Sequence, residues 1–296
     1  MNFVRCWGLT LTIIIAVIPA HTQGLSRIED RGSPVVADSG LTSTCDKIFS
    51  GLTRAVRPWD ASLLVIGGFD LYRSQHDGGS TPFPPFGIDR QLTESLGRTD
   101  GGESPGSRLQ TARFQQMILG GQFLITALLD VTKKAKVTPT DYERTFVFAK
   151  AMVYAHALTE FAKNLIARDR PDGSDQRSFF SGHASGAFVT SAFLSREISD
   201  WIDGMEFAQG SPAARTAAKA SAYTIAYGWA VYVAYSRIYD RKHYLSDVLV
   251  GGIVGSAVAH ILYNVHFDEA DGSESTGLHL NIVPAPTPVV KVVYWF

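Results

Sequence analysis

The sequence predicts an all-α fold: a single helical bundle followed by a short extended, strand-like C-terminal tail. Three observations carry the prediction. Long segments between about Leu109 and Val265 place apolar residues at helical spacing. No repeat or low-complexity tract stands out among them. The tail from Leu278 (LHLNIVPAPTPVVKVVYWF) is instead β-branched, aromatic and broken by prolines, which suits extended backbone.

Residues 1–23 read as a signal peptide. Arg5 supplies a positive start, Trp7 to Ile18 (WGLTLTIIIAVI) an apolar run too short to span a bilayer comfortably, and Pro19-Ala20 a break beside small residues. An uncleaved anchor is the alternative. Cleavage leaves Cys45 as the sole cysteine, so the mature chain forms no internal disulfide, which is ordinary in a bacterial periplasm. The chain is therefore expected to be exported, periplasmic or secreted. Residues 24–40 read as a polar linker and 41–268 as the helical domain. Within it, the first helical stretch, from Leu41 to about Tyr72, is interrupted at Pro58. Residues 73–107, rich in Gly, Pro, Ser and Asp, read as a long loop and a candidate cover for a site.

Helices are then expected over about Leu109–Lys134, Asp141–Arg168 after the Thr138-Pro139-Thr140 turn, His183–Ile202, Pro212–Tyr235 and His243–Val265. Residues 269–296 form the tail. None of the segments shows a clean run of about twenty apolar residues. Gln115 to Val131 carries Gln122 and Asp130, and Ala220 to Ser236 is rich in tyrosine. Val248 to Phe267 comes closest and reads as the buried core helix of a soluble bundle. Tyr294-Trp295-Phe296 is a candidate peripheral membrane contact, or equally a tail packed on the bundle.

With 27 Lys plus Arg against 28 Asp plus Glu, the formal net charge is −1, which argues against a general nucleic-acid binder. An apolar share of 45% excludes a wholly disordered chain.

Three clusters place polar residues in apolar, helical surroundings. In KNLIARDRP, Lys163 and Arg170 stand two helical turns apart and can share a face, with Pro171 turning the chain; two such cations suit a phosphate-like anion. In Phe180-Ser181-Gly182-His183, a helix start offers free N–H donors, Gly182 permits close approach, Ser181 adds a hydroxyl, and His183 could protonate a leaving oxygen. In SRIYDRKHYLSD, Arg237 precedes His243 and Asp247, four apart at a helix start, so the carboxylate can hold one imidazole nitrogen and leave the other free to attack. Taken alone, these read as a solvated basic helix end, a capping turn and a surface His–Asp pair.

Together, the spacing Lys-x6-Arg-Pro, Ser-Gly-His and Ser-Arg-x5-His-x3-Asp over residues 163–247 resembles the signature of the type-2 phosphatidic acid phosphatase and vanadium haloperoxidase superfamily. Two departures bear on the shape of the phosphate turn: Phe180 stands where the family usually has Pro, and the stretch from Pro171 to Phe180 is shorter than usual. The resemblance implies metal-independent phosphomonoester hydrolysis through a phosphohistidine. It implies His243 as nucleophile, Asp247 as its orienting group and His183 as general acid. Lys163, Arg170, Arg237, Ser181 and the Gly182 amide would hold the phosphoryl oxygens. No cofactor is implied, and no carboxylate cluster suited to Mg²⁺ or paired Zn²⁺ accompanies these residues.

The same pocket in the haloperoxidase branch would hold vanadate, which is the alternative reading, although the chain is compact for that branch. A non-catalytic lipid- or phosphate-binding module is a third, against which both histidines and Asp247 argue. The expected partner is a phosphate-bearing small molecule or lipid. The sequence leaves that choice, and the oligomeric state, open. His156 and Glu160 read as a helix-face pair rather than a metal pair, and His76, His260, His266 and His279 carry no partner pattern. Arg168 reads as an exposed helix-end arginine, and Asp240, Arg241 and Lys242 as the rim of the site.

Overall fold

The computed structural model describes residues 40–75, 81–109, 112–268, 278–283 and 289–294. The leader, the linker up to Ser39, His76 and Trp295-Phe296 lie outside the described residues. The elements run α1 (Gly40–Ala55), a 3₁₀ turn (Pro58–Ala61), α2 (Ser62–Gln75), β1 (Thr81–Pro82), α3 (Gly87–Leu96), α4 (Pro105–Leu109), α5 (Ala112–Val131) and α6 (Pro139–Leu165). They continue with β2 (Ile166–Ala167), α7 (Gly182–Asp203), α8 (Glu206–Gly210), α9 (Pro212–Tyr239), α10 (Leu245–Tyr263), a π-helical turn (Asn264–Asp268), β3 (Leu278–Val283) and β4 (Val289–Tyr294). The fold is all-α, and the tail is an antiparallel β3–β4 pair running from Leu278↔Tyr294 to Val283↔Val289.

Side chains mark the helix starts. Thr138 donates from N and Oγ1 to Asp141 Oδ2 at 2.7 and 2.8 Å, and Pro139 fills the first position of α6, where a missing N–H costs nothing. Ser181 Oγ accepts from Ala184 N at 3.4 Å to open α7. Ser211 Oγ does the same for Ala214 N at 3.3 Å in α9.

The core is built where α6, α7 and α10 meet. Val147, Phe148 and Ala151 of α6 pack with Val189, Ala192 and Phe193 of α7 and with Ala259 and Leu262 of α10. Phe148 stacks on Phe193 at 4.9 Å, and Tyr263 meets Phe193 edge-on at 5.2 Å. Close approach of α10 to the start of α7 depends on two glycines. A Cβ at Gly251 would lie 2.6 Å from Ser181 O, and one at Gly255 would collide with the Ser185 carbonyl. Helix starts α7 and α10 and helix ends α6 and α9 therefore gather at one end of the bundle.

The 73–107 stretch is not the structureless loop its composition predicts. It contains β1, paired in parallel with β2 (Thr81↔Ile166), and helices α3 and α4. The signal was present in Phe86-Gly87-Ile88-Asp89: Asp89 Oδ2 accepts from Phe86 N at 3.1 Å and caps α3. The glycines and prolines around it obscured the pattern.

The expectation of a buried last helix also needs correction. Phe114–Val131 and Leu245–Phe267 are both long and apolar enough to cross a membrane. Only 6% of the first window and 39% of the second are buried. Met117, Leu124, Ile125 and Leu128 on α5, with Leu249, Ile253 and Ile261 on α10, face outward. The Asp130 that counted against a span sits at the end of α5, buried and paired with Lys47 at 2.5 Å.

Candidate active site

The chain leaves α6 at Leu165 and doubles back. Arg168 N donates to Gln176 O at 3.0 Å, Ser178 N to Arg168 O at 3.0 Å, and Arg170 N to Asp175 O at 2.9 Å. Lys163 and Arg170 thus do not share a helix face, since Arg170 lies on this returning loop. The Lys163 ammonium stands beside the start of α7: a Cβ on Gly182 would be 3.4 Å from Nζ. Arg170 lies close enough to act electrostatically on His183, Arg237 and His243.

Nor is His243 helical. It lies just before Tyr244, the N-cap of α10, so the helix-face argument for His243 and Asp247 fails. His243 Nδ1 sits 2.7 Å from the Ser178 carbonyl and 3.8 Å from Asp247 Oδ2. A ring nitrogen at that distance from a carbonyl must carry the proton, which leaves the lone pair on Nε2. The Asp247 carboxylate instead binds Tyr244 N at 2.9 Å, Ser178 Oγ at 2.5 Å and Arg168 Nη1. It holds the turn that supplies the carbonyl and acts on the imidazole at one remove. Ser181, fully buried, donates from N to Asp247 O at 3.1 Å, which ties the start of α7 to that of α10.

Arg168 is the residue the sequence misplaced. It is 1% exposed, not at a solvated helix end. Its guanidinium joins Asp247 to Asp89, with Nη2 2.7 Å from Asp89 Oδ2 and Nη1 2.8 Å from Ser246 Oγ. The rings of Phe83 and Tyr244 lie 5.0 Å from its Cζ. Asp89 also accepts from Ser246 N at 3.0 Å. Neither Arg168 nor Asp89 carries a sequence signal that separates it from an ordinary charged residue, because each gains its role from a partner about eighty residues away.

Every cation of the pocket faces a carboxylate. Lys163 Nζ is 2.9 Å from Glu160 Oε1, Arg170 Nε 2.7 Å from Asp175 Oδ1, and Arg237 Nη1 3.8 Å from Glu103 Oε1. Lys242 Nζ meets Asp172 Oδ2 at 2.6 Å. Glu103 is delivered by the 97–104 segment, pinned where Ser104 N and Oγ donate to buried Asp240 at 2.9 and 2.8 Å. Asp240 is therefore an anchor rather than a rim group. Arg237 Nε is buried and has no hydrogen-bond partner among the described residues.

Burial, with Arg237, His243, Lys163 and Arg170 adding repulsion, pushes the His183 imidazole down to about 2. Burial pushes His243 down to about 4, with Asp247 opposing and Arg237 and Arg170 assisting. Arg237 itself is lowered to about 10, by burial first and by Arg170 second. Burial, reinforced by these cations, keeps both imidazoles neutral at neutral pH.

Residues 144–271 match the family model described as the PAP2 superfamily. That stretch is 128 of the 296 residues, so the likeness to the family covers part of the chain. The matched stretch takes in His183, His243, Asp247, Lys163, Arg170, Ser181, Gly182 and Arg237, while Asp89 and Glu103 lie ahead of it. Two solved structures resemble the chain. LpxE of Aquifex aeolicus shares 18% identity over 60% of this chain and 96% of its own, with a TM-score of 0.40. A transmembrane PAP2-type phosphatidylglycerolphosphate phosphatase from Bacillus subtilis shares 16% over 80% of this chain and 99% of its own, with a TM-score of 0.42. No curated protein matches the sequence.

Proposed function

We propose that this chain, like the superfamily its residues 144–271 match, hydrolyses a lipid phosphomonoester, without a metal, through a phosphohistidine on His243. The observation that carries the reading is the tautomer of His243, whose Nδ1 is held on the Ser178 carbonyl so that Nε2 is the nucleophilic nitrogen. Lys163, Arg170, Arg237, the Ser181 hydroxyl and the Gly182 amide at the start of α7 hold the phosphoryl oxygens and offset the charge that a metal would otherwise neutralise. The incoming phosphate dianion restores the proton affinity of His183.

In the first step Nε2 forms a bond to phosphorus while the ester P–O bond breaks, and the proton of His183 goes to the departing alcohol oxygen. In the second, neutral His183 takes a proton from water as the water oxygen attacks phosphorus. The P–N bond breaks and inorganic phosphate leaves. The apolar outer faces of α5 and α10 support a membrane-embedded bundle, and so a phosphate carried by a lipid. Arg5 and the apolar run Trp7–Ile18 support export.

The test is phosphate release by the full chain in detergent with chelator, offered dispersed phosphatidate and a small aryl phosphate in parallel, beside His243→Ala and His183→Ala. Chelator-resistant release that favours phosphatidate, vanishes in His243→Ala and falls roughly a hundred- to ten-thousand-fold in His183→Ala is expected. Release that survives His243→Ala would overturn the mechanism. No release, with vanadate-dependent halogenation of a phenol instead, would make the chain a peroxidase.

A further inference from the structure

The far end of α6 carries a second basic cleft that hydrolysis does not use. Thr140 at its start and Lys163 near its end are separated by roughly 35 Å at ~1.5 Å per residue. The cleft measures about 400 Å³ and is lined by Arg54, Arg57, Thr140, Glu143, Arg144, His266 and Phe267. That volume suits a headgroup-sized ligand. Four separate segments supply the lining: the end of α1, the residue before the 3₁₀ turn, the first turns of α6 and the π-helical turn.

Three arginines there face one carboxylate, and that carboxylate is already engaged. Glu143 Oε1 lies 3.2 Å from His266 Nδ1. Lys150 Nζ, which can only donate, lies 2.9 Å from His266 Nε2, 2.7 Å from Ala55 O and 3.1 Å from Asp60 Oδ2. His266 is therefore an acceptor at Nε2 and passes its Nδ1 proton toward Glu143, which leaves the wall rigid and internally satisfied. Arg144 is fixed by Asp200 at 3.1 Å and by the Phe267 ring, 4.7 Å from its Cζ. Arg54 Nη1 reaches Thr140 Oγ1 at 3.5 Å, Arg57 N donates to Asp60 Oδ2 at 2.8 Å, and neither guanidinium makes an ion pair among the described residues. Two guanidinium forks without an ion pair and one anchored arginine border a space whose lining carboxylate, Glu143, faces His266.

We propose that this cleft is a second anion site, for a phosphate group carried either by an anionic lipid headgroup or by free phosphate. It is separate from the catalytic pocket, and Arg54 and Arg57 are its principal ligands.

Equilibrium dialysis of the full chain in detergent against labelled orthophosphate tests the proposal, with Arg54→Gln/Arg57→Gln as the variant and Arg57→Glu as a second. Inhibition of hydrolysis by phosphate reads the catalytic pocket separately, and dialysis counts sites even in a chain that turns nothing over. Two sites in the wild type are expected, one of them weakened at least tenfold in both variants, with melting temperature and phosphate inhibition unchanged. Displacement from that site by short-chain phosphatidylglycerol, but not phosphatidylcholine, would assign the headgroup as the ligand; no displacement would assign free phosphate. A single site in the wild type, or variants that bind as the wild type does, would overturn the proposal.

Discussion

Replacing Arg168 with Met keeps most of the side-chain volume and removes the charge that joins two buried carboxylates. Asp89 and Asp247 are both fully buried, and both contact the guanidinium. Breaking a buried ion pair by deleting one partner costs about 3–5 kcal/mol. Two stranded carboxylates do not double that figure. Asp89 retains Ser246 N and Oγ, at 3.0 and 2.7 Å, and Asp247 retains Ser178 Oγ and Tyr244 N. The new thioether side chain also keeps contact with the aromatic rings that enclose Arg168, so the loss stays near 3–5 kcal/mol.

At about 2–4 °C per kcal/mol for a chain of this size, the melting temperature should fall by about 6–20 °C. Adding Asp89→Asn to Arg168→Met should recover part of the loss, because one uncompensated charge disappears. Phosphatase turnover should fall with stability, since Asp247 holds the Ser178 turn on which the His243 tautomer depends. Thermal melting in detergent, with turnover measured well below the melting range, reads both effects. A variant within about 1 kcal/mol of wild type and with unchanged turnover would falsify the view of Arg168 as the buried tie behind His243.

Under the proposed function, Glu103→Gln frees Arg237 from its carboxylate, so KM and the inhibition constant for phosphate should both fall severalfold; a rise in KM would show that Glu103 helps to bind substrate. The pH dependence follows from His183 and His243, both lowered, and His243 can be tested separately. Its folded value, about 4, lies below the unfolded value near 6.5, so the unfolded chain binds the extra proton as pH falls. Phosphate-free protein should therefore lose stability between about pH 6.5 and 4, and both phosphate and His243→Gln should flatten the decline. Melting curves that run parallel for wild type and His243→Gln across that window would sink this account.

The candidate site was legible in the chain because the proposed phosphoryl transfer needs particular residue types, and Lys163, Arg170, Ser181-Gly182-His183, Arg237 and His243 stand close enough in sequence to show a spacing. The main helices were legible for a similar reason: apolar periodicity and the Thr138-Pro139 start are local properties. Local signals did not reveal which polar groups would be buried. Arg168, two residues before Arg170, looks like any charged helix end until Asp89 and Asp247 close on it from both sides. The orienting acceptor on His243 is a backbone carbonyl, Ser178 O, which no residue identity can announce. Glu103 and Asp89 lie in a stretch whose glycines and prolines hid the capping residue that orders it. Whether α5 and α10 face core or surroundings was likewise decided by packing, since hydrophobicity alone reads the same in both. Sequence determined which groups are candidates to hold and transfer a phosphate under the proposed function. Tertiary structure decided which of them are paired, buried or turned outward, because burial and pairing depend on partners distant along the chain.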